Sequence, residues 1–231
     1  MSIKKDKKFE KLTTDFDKMQ SLLFQQFEIL DEVVNNGLDK IEKGLVDTFK
    51  KNEIKIDQFE IKMSDNIIQT IGLQHPMASE LRLLVSYFRI IGHTERIGDQ
   101  LNNIMRFFHK MDPPTIHDDH KDSVLNMLSM SEKMVKKALI SFEDGDREYA
   151  IWTIKNDEIV DEMQSTILRR MVRKNSPNGS DPTEIFNLLN FNSILGNIER
   201  VADHATNIAE AAIYYQQGVD LRHQELPEED Q

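Results

Sequence analysis

The segment Ile194–Glu210, ILGNIERVADHATNIAE, reads as one amphipathic helix with two separate faces. Ile194, Ile198, Val201, Ala205, Ile208 and Ala212 recur at alternating steps of four and three, the seam that packs against neighbouring helices. Glu199, Asp203 and Asn207 stand at i, i+4 and i+8 and stack along a different face. Two anions one turn apart repel by roughly 0.2–0.5 kcal/mol when nothing neutralises them. A bound cation turns that repulsion into attraction.

The same arrangement stands 104 residues earlier. Ile90–Ile104, IIGHTERIGDQLNNI, places Glu95, Asp99 and Asn103 in equivalent positions, and Ile90, Thr94, Ile97, Leu101, Ile104 and Phe108 repeat the seam. Ungapped comparison of Glu80–Ile104 with Glu184–Ile208 yields nine identities in 25 positions, among them Gly92/Gly196, Glu95/Glu199, Arg96/Arg200, Asp99/Asp203 and Asn103/Asn207. The shift also maps Ile56, Phe59, Met63 and Ile67 onto Val160, Met163, Ile167 and Met171. It carries Glu53 and Asp57 onto Asp157 and Asp161, a second acid-xxx-acid pair in each half. The chain is therefore expected to be all-α, with two tandem, pseudo-symmetric three-helix bundles and six helices. Their expected bounds are residues 9–111 and 119–218.

Taken in order, the first helix is expected from Phe9 to about Asn36, closed by Asn36-Gly37. The second runs from about Leu38 to Leu73 and is broken at His75-Pro76, because the residue before proline disfavours helix. The third continues to about Lys110, before Asp112-Pro113-Pro114. In the second half, helices are expected over 123–143, 147–173 and 183–217. Asp144-Gly145-Asp146 and Asn175–Pro182 separate them, and Gly218 ends the last. Short connections favour antiparallel neighbours within each bundle.

Composition narrows the function classes. Hydrophobic residues make up 39% and charged residues 30%, as suits a helical protein with a packed core. No run approaches the roughly 18–20 apolar residues of a membrane span, and no signal-peptide pattern opens the chain, so the cytoplasm is the expected location. The absence of Cys removes disulfides, thiolate metal ligands and cysteine nucleophiles. A net charge of −11 argues against nucleic acid as a partner, since binding to its phosphates rests on Lys and Arg. Lys4, Lys5, Lys7 and Lys8 form a local basic exception, read as a solvated terminus, and Glu228–Asp230 as an acidic tail.

If helices two and three of each half lie side by side, four carboxylates converge on one surface. The candidate metal ligands are Glu53, Asp57, Glu95 and Asp99 in the first half, and Asp157, Asp161, Glu199 and Asp203 in the second. Carboxylates without thiolates favour hard cations such as Mg²⁺, Mn²⁺, Ca²⁺ or iron, with Zn²⁺ also compatible. A lone acidic pair is ordinary on a solvated helix, but four in register are hard to obtain from composition alone. Asn103 and Asn207 are candidates to orient ligands or water, with a plain exposed amide as an equal alternative, and His204 is a secondary candidate. His117 and His120, in HDDH, read as linker residues. Gly92, Gly196, Gly98 and Ala202 read as sites of close helix approach. No Gly-rich phosphate loop, GxSxG or HExxH is present.

The duplicated third helices, with PMASELR at Pro76–Arg82, ERIGDQLNN at Glu95–Asn103 and ERVADHATNIAE at Glu199–Glu210, resemble the PhoU family of phosphate-uptake regulators. The helix-two segments EIKIDQFE (Glu53–Glu60) and DEIVDEM (Asp157–Met163) are similar to the same pattern. The resemblance spans about Leu12 to Gln217. It implies two similar three-helix bundles that bind multinuclear metal clusters, iron or zinc among them, through the acid-xxx-acid motifs. It further implies a non-enzymatic negative regulator of phosphate signalling, commonly homodimeric. The implied partners are a phosphate ABC transporter and the sensor histidine kinase of the phosphate two-component system, with membrane association only through them. Two positions depart from the pattern: Phe186 stands where Arg82 does in the first half, and Glu80 where the family often has Asp. Two other readings stand beside this one, a regulatory companion of another phosphate carrier (a sodium–phosphate cotransporter or low-affinity carrier) and a carboxylate-bridged metalloenzyme.

Overall fold

A computed structural model of the chain describes residues 3–36, 43–111, 115–174 and 182–219. Every regular element among them is helical: α1 (Ile3–Asn36), α2 (Lys43–Gln74), α3 (Ala78–Phe108), α4 (Thr115–Asp144), α5 (Arg147–Lys155), α6 (Asp157–Lys174) and α7 (Pro182–Gln217). This is the expected six-helix, all-α plan with its fifth helix divided. The expected breaks at Gly37, Asp112–Pro114 and Asn175–Asp181, the acidic tail and the N-terminal lysine side chains lie outside the described residues.

The helix divides at Asn156. The Asn156 side-chain Nδ2 donates to the Trp152 carbonyl at 2.7 Å, and its backbone N–H is shared between Trp152 and Thr153. Asn156 caps α5 with φ −93° and ψ −1°, off the regular helical values, and Asp157 opens a new helix rather than continuing the old one. The continuous helix expected over 147–173 is corrected accordingly. Where a stop was expected at His75-Pro76, His75 adopts φ 47° and α2 ends at Gln74. The Met77 N–H then donates to Glu80 Oε2 at 3.2 Å, holding the start of α3. Gly145 and Gly218 take φ 74° and 72°, the left-handed turns that follow α4 and α7.

Contacts between side chains fix the packing directions. Gln25 with Asn52 and Asp15 with Lys62 make α1 and α2 antiparallel. The most extensive contact of all joins the halves: α3 lies antiparallel to α7, with Ser86 Oγ donating to the Ala211 carbonyl at 3.1 Å. On the other side α7 packs against α4, where Ser131 Oγ reaches the Ile198 carbonyl and Gln216 the Ser141 carbonyl. The apolar seams of α1, α3, α4 and α7 form one continuous buried cluster. Phe16 of α1, Tyr87 of α3 and Phe142 of α4 meet there edge to face, with centroids 4.7–6.3 Å apart.

The expected linker histidines fall within a helix. α4 begins at Thr115, and His120 is buried against the Phe191 ring. Of the helix glycines, Gly98 fits the close-approach reading. A Cβ there would touch Gln26 Oε1 and Ile56 at 3.5 Å, whereas one on Gly92 would meet nothing within 4 Å.

Candidate metal centres

The outward edge of α2 carries Glu53 and Asp57, and the adjoining edge of α3 carries Glu95 and Asp99. Because these helices are antiparallel neighbours, one turn of each contributes to a single surface. Asp57, Glu95 and Asp99 each offer a carboxylate oxygen, and the three atoms lie within 4.8 Å of one another. Glu53 borders this group: Asn102 Nδ2 donates to its Oε1 at 2.8 Å, tying α3 to α2 beside the carboxylates.

The electrostatic consequence is visible in the protonation of the cluster. Burial, followed by the charges of Asp99, Asp57 and Glu60, pushes the Glu95 carboxyl up to about 7, with Arg96 opposing. Burial likewise raises Asp57, reinforced by Asp99 and Glu60, and raises Glu53, reinforced by Asp57 and Asp99. Half-buried carboxylates that repel one another need either protons or a cation.

The second half builds the same surface from α6 and α7. Burial and the neighbouring Asp203 raise Asp157 to about 6; burial, Asp203 and Asp161 raise Glu199 to about 7. Asp203 is raised by burial and by Asp161, with Arg200 opposing. Asp157 Oδ1 is buried without a hydrogen-bond partner among the described residues. Among those residues, only the first half brings three oxygens as close as 4.8 Å. The donor sets of both halves, all carboxylate and mutually repelling, fit a hard cation better than any neutral ligand.

Asn103 and Asn207 both hydrogen-bond along their own helices. Asn103 Oδ1 accepts from Arg106 Nη1 at 3.2 Å, and Asn207 Nδ2 donates to the Asp203 main-chain carbonyl at 2.7 Å. Asn102 takes the orienting place instead, and Thr206, its equivalent under the 104-residue shift, lies beside Asp157. Helical geometry explains the difference: relative to Glu95, position i+7 returns to within about 20° of the same face, and i+8 lies about 80° away. That signal was present in the spacing. Glu60, three residues beyond Asp57, is a further carboxylate beside the first centre that the paired motif did not include.

His204 turns away from the carboxylates. Its Nδ1 stands 3.3 Å from Nδ1 of His93 across the α3–α7 contact. Burial holds both rings at about 4, well below the ordinary imidazole range, with Arg96 opposing their protonation further. This pair belongs to the junction between the halves.

Residues 6–108 and 124–212 match the family model of the PhoU domain. The chain is 29% identical over 217 residues to a protein of Pseudomonas aeruginosa named phosphate-specific transport system accessory protein PhoU homolog, covering 93% of this chain and 88% of that one. It is 27% identical over 213 residues to the Thermotoga maritima phosphate-specific transport system accessory protein PhoU homolog 1, covering 91% and 88%. The crystal structure of PhoU from Pseudomonas aeruginosa superimposes with a TM-score of 0.71 at 27% identity, covering 90% of this chain and 99% of that one. The phosphate transport system regulatory protein PhoU of Streptococcus pneumoniae shares the fold, with a TM-score of 0.68 at 19% identity over 92% of this chain and 98% of that one. With the family model matching both halves, the chain belongs to the PhoU family.

Proposed function

We propose that the protein is a metal-binding negative regulator of phosphate uptake and phosphate-starvation signalling. It acts without catalysis of its own, through contacts with a phosphate ABC transporter and a sensor histidine kinase at the cytoplasmic face of the membrane. The observation that carries this reading is the duplicated carboxylate surface in a PhoU-family chain, with Asp57, Glu95 and Asp99 converging within 4.8 Å. Glu53, Asp57, Glu95 and Asp99 hold one metal centre, and Asp157, Asp161, Glu199 and Asp203 the other. Iron or zinc is the expected metal, with manganese or magnesium, which carboxylate ligands suit, as alternatives. Bound cations neutralise the clustered charge and fasten α2 to α3 and α6 to α7.

Action by contact is supported by the exterior of α2. Ile54, Ile61 and Ile68 recur every seven residues along it and are 52%, 61% and 57% exposed. Large apolar side chains aligned on one face mark an interaction surface. Membrane association through those partners belongs to the same reading; among the described residues no helix is long and apolar enough to cross a membrane. Assembly as a homodimer belongs to the same reading.

The test is complementation joined to metal analysis. In a host lacking its own copy of this gene, the intact chain is expected to restore repression of a phosphate-starvation reporter in high phosphate and to purify with stoichiometric metal. A folded Glu95→Gln/Asp99→Asn/Glu199→Gln/Asp203→Asn variant is expected to lose both. Full repression by a metal-free variant would separate the metal from the regulation and sink the proposal in this form.

A further inference from the structure

The duplication supplies an internal comparison, because each position of the first centre has a counterpart 104 residues later. We infer that the two centres are unequal: the first-half centre captures its cation more tightly, and Glu60 is the residue that sets the difference. This rests on the metal reading above.

Glu60 stands one turn beyond Asp57 on α2, and its counterpart on α6 is the neutral Gln164. The two side chains are also held differently. Ser64 Oγ donates to Glu60 Oε1 at 3.0 Å, keeping the carboxylate along its own helix. The counterpart of Ser64 is Leu168, which has no such donor. Gln164 instead rests on α7, its Nε2 only 3.6 Å from where a Cβ on Gly196 would stand; the equivalent space over Gly92 contains nothing within 4 Å. The first centre therefore keeps an additional anion on its wall, and the second replaces it with an amide tucked between helices.

Glu60 acts on the residues that matter. Its charge reaches both Asp57 and Glu95, two of the three carboxylates whose oxygens converge. Arg106, whose counterpart is Glu210, acts on Glu53 at the edge of the group and donates to Asn103, while Arg96 opposes at Glu95 as Arg200 does at Glu199. A cation entering between Asp57, Glu95 and Asp99 thus meets a preformed triple of oxygens, with Glu60 as a negative charge additional to the four paired carboxylates. In the second half it meets carboxylates that must draw together and no equivalent of Glu60.

The experiment is a Mn²⁺ titration of the full chain after chelator treatment, with the free ion counted by electron paramagnetic resonance. Two classes of site are expected. The tight class should vanish in Asp57→Asn/Glu95→Gln/Asp99→Asn, and the weak class in Asp161→Asn/Glu199→Gln/Asp203→Asn. Glu60→Gln should weaken the tight class about tenfold, the effect of one charge on a divalent ion about 6 Å away across a water-like dielectric. Gln164→Glu should tighten the weak class by a similar factor, a gain that misfolding cannot produce. A tight class that maps to the second half, or constants indifferent to both Glu60→Gln and Gln164→Glu, would overturn the inference. So would a single class shared by both halves, though metal binding itself would then stand. If no variant, nor the parent, bound Mn²⁺, the inference and the metal reading would fall together.

Discussion

Asn102 of α3 donates to Glu53 of α2 across 2.8 Å, and this bond fixes one border of the first carboxylate centre. A neutral donor beside a crowded carboxylate favours its charged form and sets the rotamer from which it reaches a cation. Asn102→Ala should therefore weaken Mn²⁺ binding at the first centre by about tenfold or more, the usual scale for removing an orienting partner of a metal ligand. Thr206→Ala provides the comparison at the second centre, and calorimetric titration of each variant against the parent would measure both. An Asn102→Ala protein with unchanged affinity would show that Glu53 stands outside the metal's coordination.

Protons and metal compete for the same oxygens. The folded-state values of Glu95 and Glu199 lie near 7, above their ordinary 4.5. In the metal-free protein such groups favour the native state while protonated, and that contribution is lost as pH rises from about 4.5 through 7. A bound cation reverses the sign of their effect. The gap in melting temperature between metal-loaded and chelated protein should therefore widen from pH 6 to pH 8, as differential scanning calorimetry would record. A gap that narrowed over this range would place the metal away from Glu95 and Glu199.

Phe16 should be among the costliest residues to truncate. It is fully buried and meets Tyr87 and Phe142 edge to face, so one ring joins α1, α3 and α4 and hence both halves. Phe16→Ala should destabilise the protein by about 3–5 kcal/mol through lost burial and the cavity left behind. Urea unfolding of the metal-free chain is the appropriate measurement, since a bound cation would mask part of the loss.

Glu132 on α4 offers a stabilising change away from either centre. Burial raises its carboxyl, with Asp31 and Glu28 of α1 adding repulsion and Lys136 opposing. The native state thus favours the protonated form, and stability is lost as pH climbs above the ordinary carboxylate value through the raised one. Glu132→Gln should raise the melting temperature at pH 8 and change it little at pH 4, where the carboxyl is already protonated. An equal shift at both pH values would point to packing rather than charge.

The elements whose information lies along one helix were legible in the sequence. The seam of Ile194, Ile198, Val201, Ala205 and Ile208 is buried as its spacing requires, and the breaks after Gln74 and Gln217 fall where Pro76 and Gly218 direct them. The division at Asn156 was missed. Asn is a permitted helix residue, and at the equivalent place Asn52 sits inside an unbroken α2, where its amide donates to Gln25 instead of its own backbone.

The helices, their duplication and the four acid-xxx-acid pairs were readable from the order of residues alone, because 3.6 residues per turn ties spacing to a shared face without reference to any other segment. The packing of the helices on one another brings Asp57 to Glu95 and Asp99, sets Glu53 within reach of the Asn102 amide, and faces His93 with His204 across the joined halves. Such relations depend on how far each helix is rotated and advanced against its neighbour. Those rotations are set by the interlocking of buried side chains from α1, α3, α4 and α7 in one core, which no single helical pattern encodes.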